Sequence, residues 1–133
     1  MKTGDFWKAW GGIAGVQSTL AVLLDQGFHR RKLPLAGIAS LLAEYPAQRF
    51  RIPKKGSLVL GNDADLVLVD LAESCTLRAD DLLQRYPLTP YLGNTFRGIV
   101  RETVRRGETI FRNGTITARE CGRLVRPQRN HDA

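Results

Sequence analysis

Few residues in this chain are of types and spacings that could carry chemistry. Gly11-Gly12, preceded by Trp10, lies between "FWKA" and a segment of helical period, where a ligand loop commonly ends. Paired glycines permit tight backbone geometry and close approach of a ligand to the main chain. Asp63 and Asp65, two apart, have the spacing of metal-binding carboxylates. Against that, Asn62 and Asp63 favour turns by bonding their own backbone, and Asp65 enters an apolar run where it can cap or pair locally. The structural reading is the stronger. Asp80-Asp81 reads as a helix-start signal. Lys54-Lys55-Gly56 is too short for a phosphate loop and lacks its glycines. His29 and His131 are the only histidines, and neither belongs to a His-x-His pair. His29 follows an expected helix end and reads as a surface residue, and His131 as a solvated one. Cys75 and Cys121 are too far apart for a zinc-finger spacing and too few for a disulfide framework; reduced, buried or half-buried thiols are expected.

The elements that must position these residues follow from periodicity. Ile13, Val16, Leu20, Leu23 and Leu24 recur at helical spacing, with Gln17 and Asp25 off that stripe. A helix is expected from about Ile13 to Gln26, stopped by Gly27, and "HRRK" follows as a charged connector. Pro34 suits the first turn of a second helix, with Ile38, Leu41, Leu42 and Tyr45 on its apolar face. Pro46 limits its end, and "AQRF" can add one turn. Near Pro53 the period changes from 3.6 to 2. "GSLVLGNDADLVLVDL" reads as strand, polar turn, strand, with Leu66 to Val69 apolar on both faces, as a doubly covered strand would be. The segment after it is loop-rich, with a short helix near Asp80 to Gln84. In "IVRETVRRG", Val100 and Val104 share one face and Arg101, Thr103 and Arg105 the other. Asn113-Gly114 is a type I′ hairpin signal. Residues 119–133 form a basic tail.

Composition sets outer limits. The chain has 133 residues, 43% hydrophobic and 25% charged, enough for one globular domain. Its net charge is +7, and 15 of its 20 cations are Arg. That balance permits binding to nucleic acid or acidic headgroups without arguing for either. Nine Arg fall between Arg97 and Arg129, yet no nucleic-acid motif and no aromatics interleaved with the basic residues accompany them. Nucleic-acid binding therefore ranks a distant third among the functions considered. "MKTGDFWKAW" is no signal peptide, since it lacks a continuous apolar core, and Leu20 to Leu24 is far too short to span a bilayer. A cytoplasmic protein with no membrane partner is expected.

Two helices followed by four or five strands, with these words in this order, resemble the C-terminal quarter to third of the cyclic amidohydrolases. "AWGGIAGVQS" is most like the loop after the last barrel strand of allantoinases; hydantoinases and dihydroorotases carry other glycine patterns there. "YPAQRFRIPKKGSLVLGNDADLVLVD" and "TPYLGNTFRGIVRETVRRGETIFRNG" are similar to the passages that follow in that family. The resemblance runs from about Asp5 to Gly114. One departure is Tyr45, where Asn before Pro-Ala is commoner.

The resemblance implies an α/β arrangement. Residues 1–53 would supply the C-terminal loop and helices of a (β/α)8 metal-dependent hydrolase barrel, and residues 54–118 strands of a small composite β-sandwich. The chain would then be the tail of a larger enzyme, begun at an internal Met. That parent would open the ring of allantoin to give allantoate, using hydroxide bound to one or two divalent ions, zinc in the first instance. The implied ligands are a His-x-His pair, a carboxylated Lys, two further His and an Asp, none of which this chain supplies, so no metal ligand and no catalytic residue is expected here. Trp10 and Gly11 would bind the substrate's ring amide through their backbone, with Gly12 allowing close approach. The implied partners are a cyclic ureide and further copies of the protein as a homo-oligomer. The alternative is a non-catalytic remnant or interaction module of the same ancestry. The apolar stripe of α-helical residues and the strand at Leu66 to Val69 are expected to leave surface uncovered, giving a partly open structure, poor solubility or self-association.

Overall fold

The computed structural model describes residues 13–118 and 122–128. The first helix, α1, is wound in three ways: a 3-10 turn at Val16–Ser18, an α-helical turn at Thr19–Val22 and a π-helical segment at Leu23–Arg30. It thus runs beyond Gly27, which does not stop it. Gly27 is buried instead, where a Cβ would meet Leu33 Cδ1 at 3.3 Å. The chain turns at Lys32, which adopts φ +59, and Leu33 N–H donates to the Gly27 carbonyl at 3.1 Å. A left-handed residue just past the helix closes it, in the manner usually served by glycine.

The second helix, α2, comprises α-helical Leu35–Ala39, π-helical Ser40–Glu44 and α-helical Tyr45–Arg49, with Pro34 as its N-cap residue. Pro46 does not end it, and the "AQRF" turn forms. In regular α winding the Pro46 ring would clash with the carbonyl four residues back and leave it without a donor. The wide i→i+5 winding just before Pro46 relieves both demands, as π-bulges do elsewhere.

Four strands make one antiparallel sheet in the order β1-β2-β3-β4: β1 Leu66–Thr76, β2 Thr95–Arg105, β3 Glu108–Arg112 and β4 Thr115–Ile116. The change of period near Pro53 and the Asn113-Gly114 hairpin are both present. Asn113 and Gly114 have φ of +47 and +85, and Arg106-Gly107, joining β2 to β3, repeats the pattern at +49 and +82. Positive φ at both central residues matches the turn's twist to that of the strands. The short helix expected near Asp80 to Gln84 is a 3-10 turn confined to Ala79–Asp81. Ser57 to Leu60 does not form a strand. Leu58, Val59 and Leu60 are exposed, and none of them pairs with a strand of the described sheet.

Register explains how α1 meets the sheet. Between Asp70↔Ile99 and Ser74↔Arg97, β1 spends more residues than β2, a bulge whose apex on β2 is Gly98. Asp70 Oδ1 stabilises it by accepting the N–H groups of Ala72 at 2.9 Å and Glu73 at 3.2 Å. Gly98 has φ +101, and a Cβ there would come within 2.8 Å of Leu24 Cβ. The helix therefore seats directly on bare backbone. Beside that contact the Asp25 carboxylate, 5% exposed, accepts the Arg97 N–H at 3.3 Å. Arg97 lies at the edge of the bulge, where ladder pairing is interrupted.

The apolar core is small: Leu24, Ile38, Ala47 and Phe96 are the buried hydrophobic residues among those described. Of the expected α1 stripe, Ile13 and Val16 are exposed, Val16 at 94%, while Leu20 and Leu23 are half-buried. Leu41, Leu42 and Tyr45 of α2 are exposed, as are Val67 and Leu68 of β1. The strand taken as covered on both faces thus presents apolar surface. No described helix is long and apolar enough to cross a membrane. Residues 122–128 run without regular structure and are exposed, tied down where Gln128 N–H donates to the Arg51 carbonyl at 3.0 Å.

Candidate functional site

Trp10, Gly11 and Gly12 lie outside the described residues, as do Cys121 and His131. What the structure places is the start of α1, at Val16–Ser18. The Gly15 carbonyl accepts Ser18 N–H at 3.0 Å and Thr19 Oγ1 at 2.9 Å, fixing the first turn. Beside it lies the loop of residues 77–94, which joins β1 to β2. Its base is closed by Leu77 N–H to Asn94 O at 3.0 Å and Gly93 N–H to Leu77 O at 2.9 Å. Within it the Gln84 amide donates to the carbonyls of Tyr86 at 2.9 Å and Leu88 at 3.0 Å. A compact loop with touching ends and internal side-chain bonds of this kind holds its shape.

The loop is joined to α1 by Gln17. Its Nε2 donates to the Asp81 carbonyl at 2.7 Å and its Oε1 accepts Leu83 N–H at 2.9 Å. Tyr91 reaches α1 as well: a Cβ on Gly15 would lie 3.7 Å from its ring. The same ring meets Phe96 edge-on, 6.2 Å between centroids. Thr89 of this loop is buried. Gln17 and Asp25, polar residues off the apolar stripe, are thus side chains that tie α1 to distant backbone. The available signal was two polar residues eight apart on one helix, flanking its apolar positions.

The other candidates settle into structural roles. Lys55 Nζ contacts Asp63 Oδ2 at 2.8 Å and also pairs with Asp65, while Asp65 Oδ1 accepts Arg106 N–H at 2.7 Å. Burial pushes the Asp65 carboxyl up, but Lys55 and the Arg106 N–H together outweigh it and hold the group below the usual carboxylate range. The same bonds, Asp63's first and Asp65's second, raise Lys55 above the ordinary lysine value against the opposing effect of burial. With Gly107 N–H donating to Ala64 O at 3.0 Å, this cluster docks the β2–β3 turn onto the entry to β1. Asn62 donates to Ser57 O at 3.2 Å and Oγ at 2.9 Å, the local bonding expected of a turn. Asp81 accepts Arg78 N–H at 2.8 Å. Gly56, at φ +89, is where α2 comes closest: a Cβ there would sit 2.6 Å from Ala47 Cβ, so its glycine answers to packing.

His29 is not the surface residue expected after a helix end. It lies inside the π-helical segment, half-buried, its ring 4.9 Å edge-on from Phe28 and its Nε2 buried without a hydrogen-bond partner among the described residues. Cys75 is exposed rather than buried. Among the described residues no group of three or more His, Cys, Asp or Glu could hold a metal ion; the described part of the chain does not fit a metal centre. Two grooves flank α2. One of about 480 Å³ is lined by polar Glu44, Gln48, Arg51, Lys55 and Gln128. The other, about 680 Å³, includes apolar Ala39, Leu42, Pro46, Leu58 and Val67. Neither borders the start of α1.

No family model matches the chain. It is 54% identical over 131 residues to an allantoinase of Solibacter usitatus, covering 98% of the chain and 29% of that protein. It is 49% identical over 130 residues to one from Rubrobacter xylanophilus, covering 97% and 29%, and 50% identical over 129 residues to one from Deinococcus radiodurans, covering 96% and 28%. The chain thus spans less than a third of the length of these relatives and corresponds to their C-terminal part. Among solved structures, the L-hydantoinase (dihydropyrimidinase) of Arthrobacter aurescens superposes with a TM-score of 0.80 at 30% identity, over 86% of the chain and 26% of that structure. A D-hydantoinase from Thermus sp. gives 0.86 at 23% identity over 92% and 27%, which speaks for the fold alone. Helices leading into an antiparallel sheet, the glycine-flanked start of α1 and similarity along nearly the whole sequence agree: the chain belongs to the cyclic amidohydrolases, as a relative of the C-terminal part of the allantoinases.

Proposed function

We propose that this chain is the C-terminal part of a metal-dependent cyclic amidohydrolase that converts allantoin to allantoate. Identity of 54% to an allantoinase along nearly the whole chain carries this reading. In it, α1 and α2 are outer helices of a (β/α)8 barrel, and the sheet is one layer of a composite β-sandwich completed by strands from elsewhere in the parent. The exposed Val67, Leu68 and Leu58 to Leu60 support that division, since apolar surface of this extent suits a covered face. The backbone of Trp10 and Gly11 binds the ring amide of the cyclic ureide, and Gly12 lets it approach. Zinc, mononuclear or binuclear, is held by ligands outside this chain. The parent is a cytoplasmic homo-oligomer.

The chain's own contribution is positioning. α1, whose first turn is at Val16–Ser18, is attached to β2 through Leu24, Gly98 and Asp25. The test compares this chain with a version extended upstream to carry the barrel, by metal analysis and an allantoate assay side by side. The extended protein is expected to bind zinc and hydrolyse allantoin, and the 133-residue chain to do neither. Metal-dependent turnover by the short chain, lost on changing His29, would overturn the reading.

A further inference from the structure

We propose that Asn113 is a site of spontaneous covalent change, in which the Asn113-Gly114 turn closes to a succinimide and reopens chiefly as isoaspartate. Closure asks three things of an Asn-X pair: a side-chain amide free to swing, a following main-chain N–H that is not already donating, and no side chain on X to shield that nitrogen. Asn113 and Gly114 meet all of them. Both are exposed. Neither the Asn113 side chain nor the Gly114 N–H has a hydrogen-bond partner among the described residues. A Cβ on Gly114 would find nothing within 4 Å, so the space around that residue is open.

The other described asparagines, Asn62 and Asn94, fail these conditions. The Asn62 amide already donates to Ser57 O at 3.2 Å and Oγ at 2.9 Å, and the nitrogen after it, that of Asp63, donates to Lys54 O at 3.0 Å. Asn94 is followed by β-branched Thr95, which stands in the ladder opposite Thr76. The turn itself singles out Asn113-Gly114. Its central residues take positive φ, +47 and +85, and glycine holds the second of them without strain.

The step balances with water alone. The Gly114 nitrogen gives up its proton and bonds to Asn113 Cγ, and the side-chain nitrogen leaves as ammonia. Water then opens the ring. Attack at Cγ gives aspartate; attack at the Asn113 main-chain carbonyl gives isoaspartate, with the chain rerouted through Cβ and Cγ. That route adds a methylene to the turn that closes β3 onto β4. It also sets a negative charge beside Arg112, which is paired with Glu102 at 2.7 Å. β4 has only two residues in the sheet, and just beyond it Thr117 N–H donates to Ile110 O at 3.0 Å. The lengthened turn is therefore expected to free β4 while β1 to β3 stay paired.

The test ages the 133-residue chain in warm, mildly alkaline buffer, then digests it under mildly acidic conditions with a protease that cuts after Glu. The fragment 109–120 is expected to gain the mass of –OH in place of –NH2 several-fold faster than the fragments holding Asn62 or Asn94. Most of the converted fragment should resist a protease that cuts before Asp, the mark of isoaspartate. A parallel sample in urea gives the rate without the fold. Fragment 109–120 unchanged while the urea sample converts, or the Asn62 or Asn94 fragment converting as fast, overturns the site. Conversion mainly to ordinary aspartate overturns the isoaspartate assignment. Release of β4 is read by hydrogen exchange at Thr117, corrected for intrinsic exchange and referred to β2 amides. Its protection is expected to fall several-fold in the aged chain and little in Asn113→Asp, which adds the charge without the methylene. Unchanged Thr117 protection in the aged chain, or an equal fall in Asn113→Asp, overturns release by the lengthened turn.

Discussion

Single side chains in this protein answer for contacts across long stretches of sequence. Gly98→Ala would add a methyl into the space of Leu24 and force φ +101 on a residue that resists it. Strain and overpacking together are expected to cost about 2–4 kcal/mol in urea unfolding. Asp25→Ala would leave the Arg97 N–H without its acceptor, and an unpaired buried donor costs about 1–3 kcal/mol; Asp25→Asn, which can still accept, is expected to cost less. At Asp65 the folded carboxyl is held below its ordinary value. Its contribution is therefore complete above the unfolded value of about 3.9, and disappears as pH falls through the lower folded value. Asp65→Asn is expected to lower the melting temperature at pH 7 and to converge with the unaltered protein once pH has fallen through the lowered folded value. A gap that persists in acid would show that the lost bonds were not those of the carboxylate. The alkaline side has the opposite sign: Lys55, raised, contributes below the ordinary lysine value and loses its share as pH climbs through the folded one.

Among elements, those set by period or by turn chemistry could be read from the sequence, and those set by a neighbour could not. The stripes of α1 and α2, the change near Pro53 and the Asn113-Gly114 turn all rest on local signals. The Arg106-Gly107 turn has half of that signal, Gly107, while its Arg occupies a left-handed conformation secured by Asp65 and Ala64 forty residues earlier. Ser57 to Leu60 has strand composition, but a strand exists only with a ladder partner, which composition does not report. Of the candidate site, Trp10 to Gly12 stands out in the sequence as a motif but lies outside the described residues, whereas Gln17 gives no sign of its contacts because its partners are backbone groups of a remote loop. Pro46 was read by its usual effect, and the winding of Ser40–Glu44 shows how the helix evades it. Pro46→Ala should allow that segment to relax toward regular α winding, seen as a change in carbonyl and Cα chemical shifts over 40–46. Unaltered shifts would mean that packing, not the proline, sets the π winding.

At the scale of the whole molecule, an apolar core of four residues among those described coexists with a broad apolar exterior. Val16 at 94% and Leu60 at 104% exposure are extremes of a surface that water does not favour. Purified chain is expected to self-associate, with mass by light scattering rising with concentration. Val67→Lys with Leu68→Lys, placing charges on the open edge strand, should reduce that rise; a concentration-independent monomer before any change would contradict the expectation. The two-residue turns at Arg106-Gly107 and Asn113-Gly114 also impose an order in time. Neighbours β2, β3 and β4 can zip locally, on a scale of about 1–10 μs for a hairpin, whereas β1 must wait for the ends of loop 77–94 to meet, and α1 for a partner more than seventy residues downstream. Folding should therefore begin from the C-terminal hairpins and finish at α1, the last element to find its place.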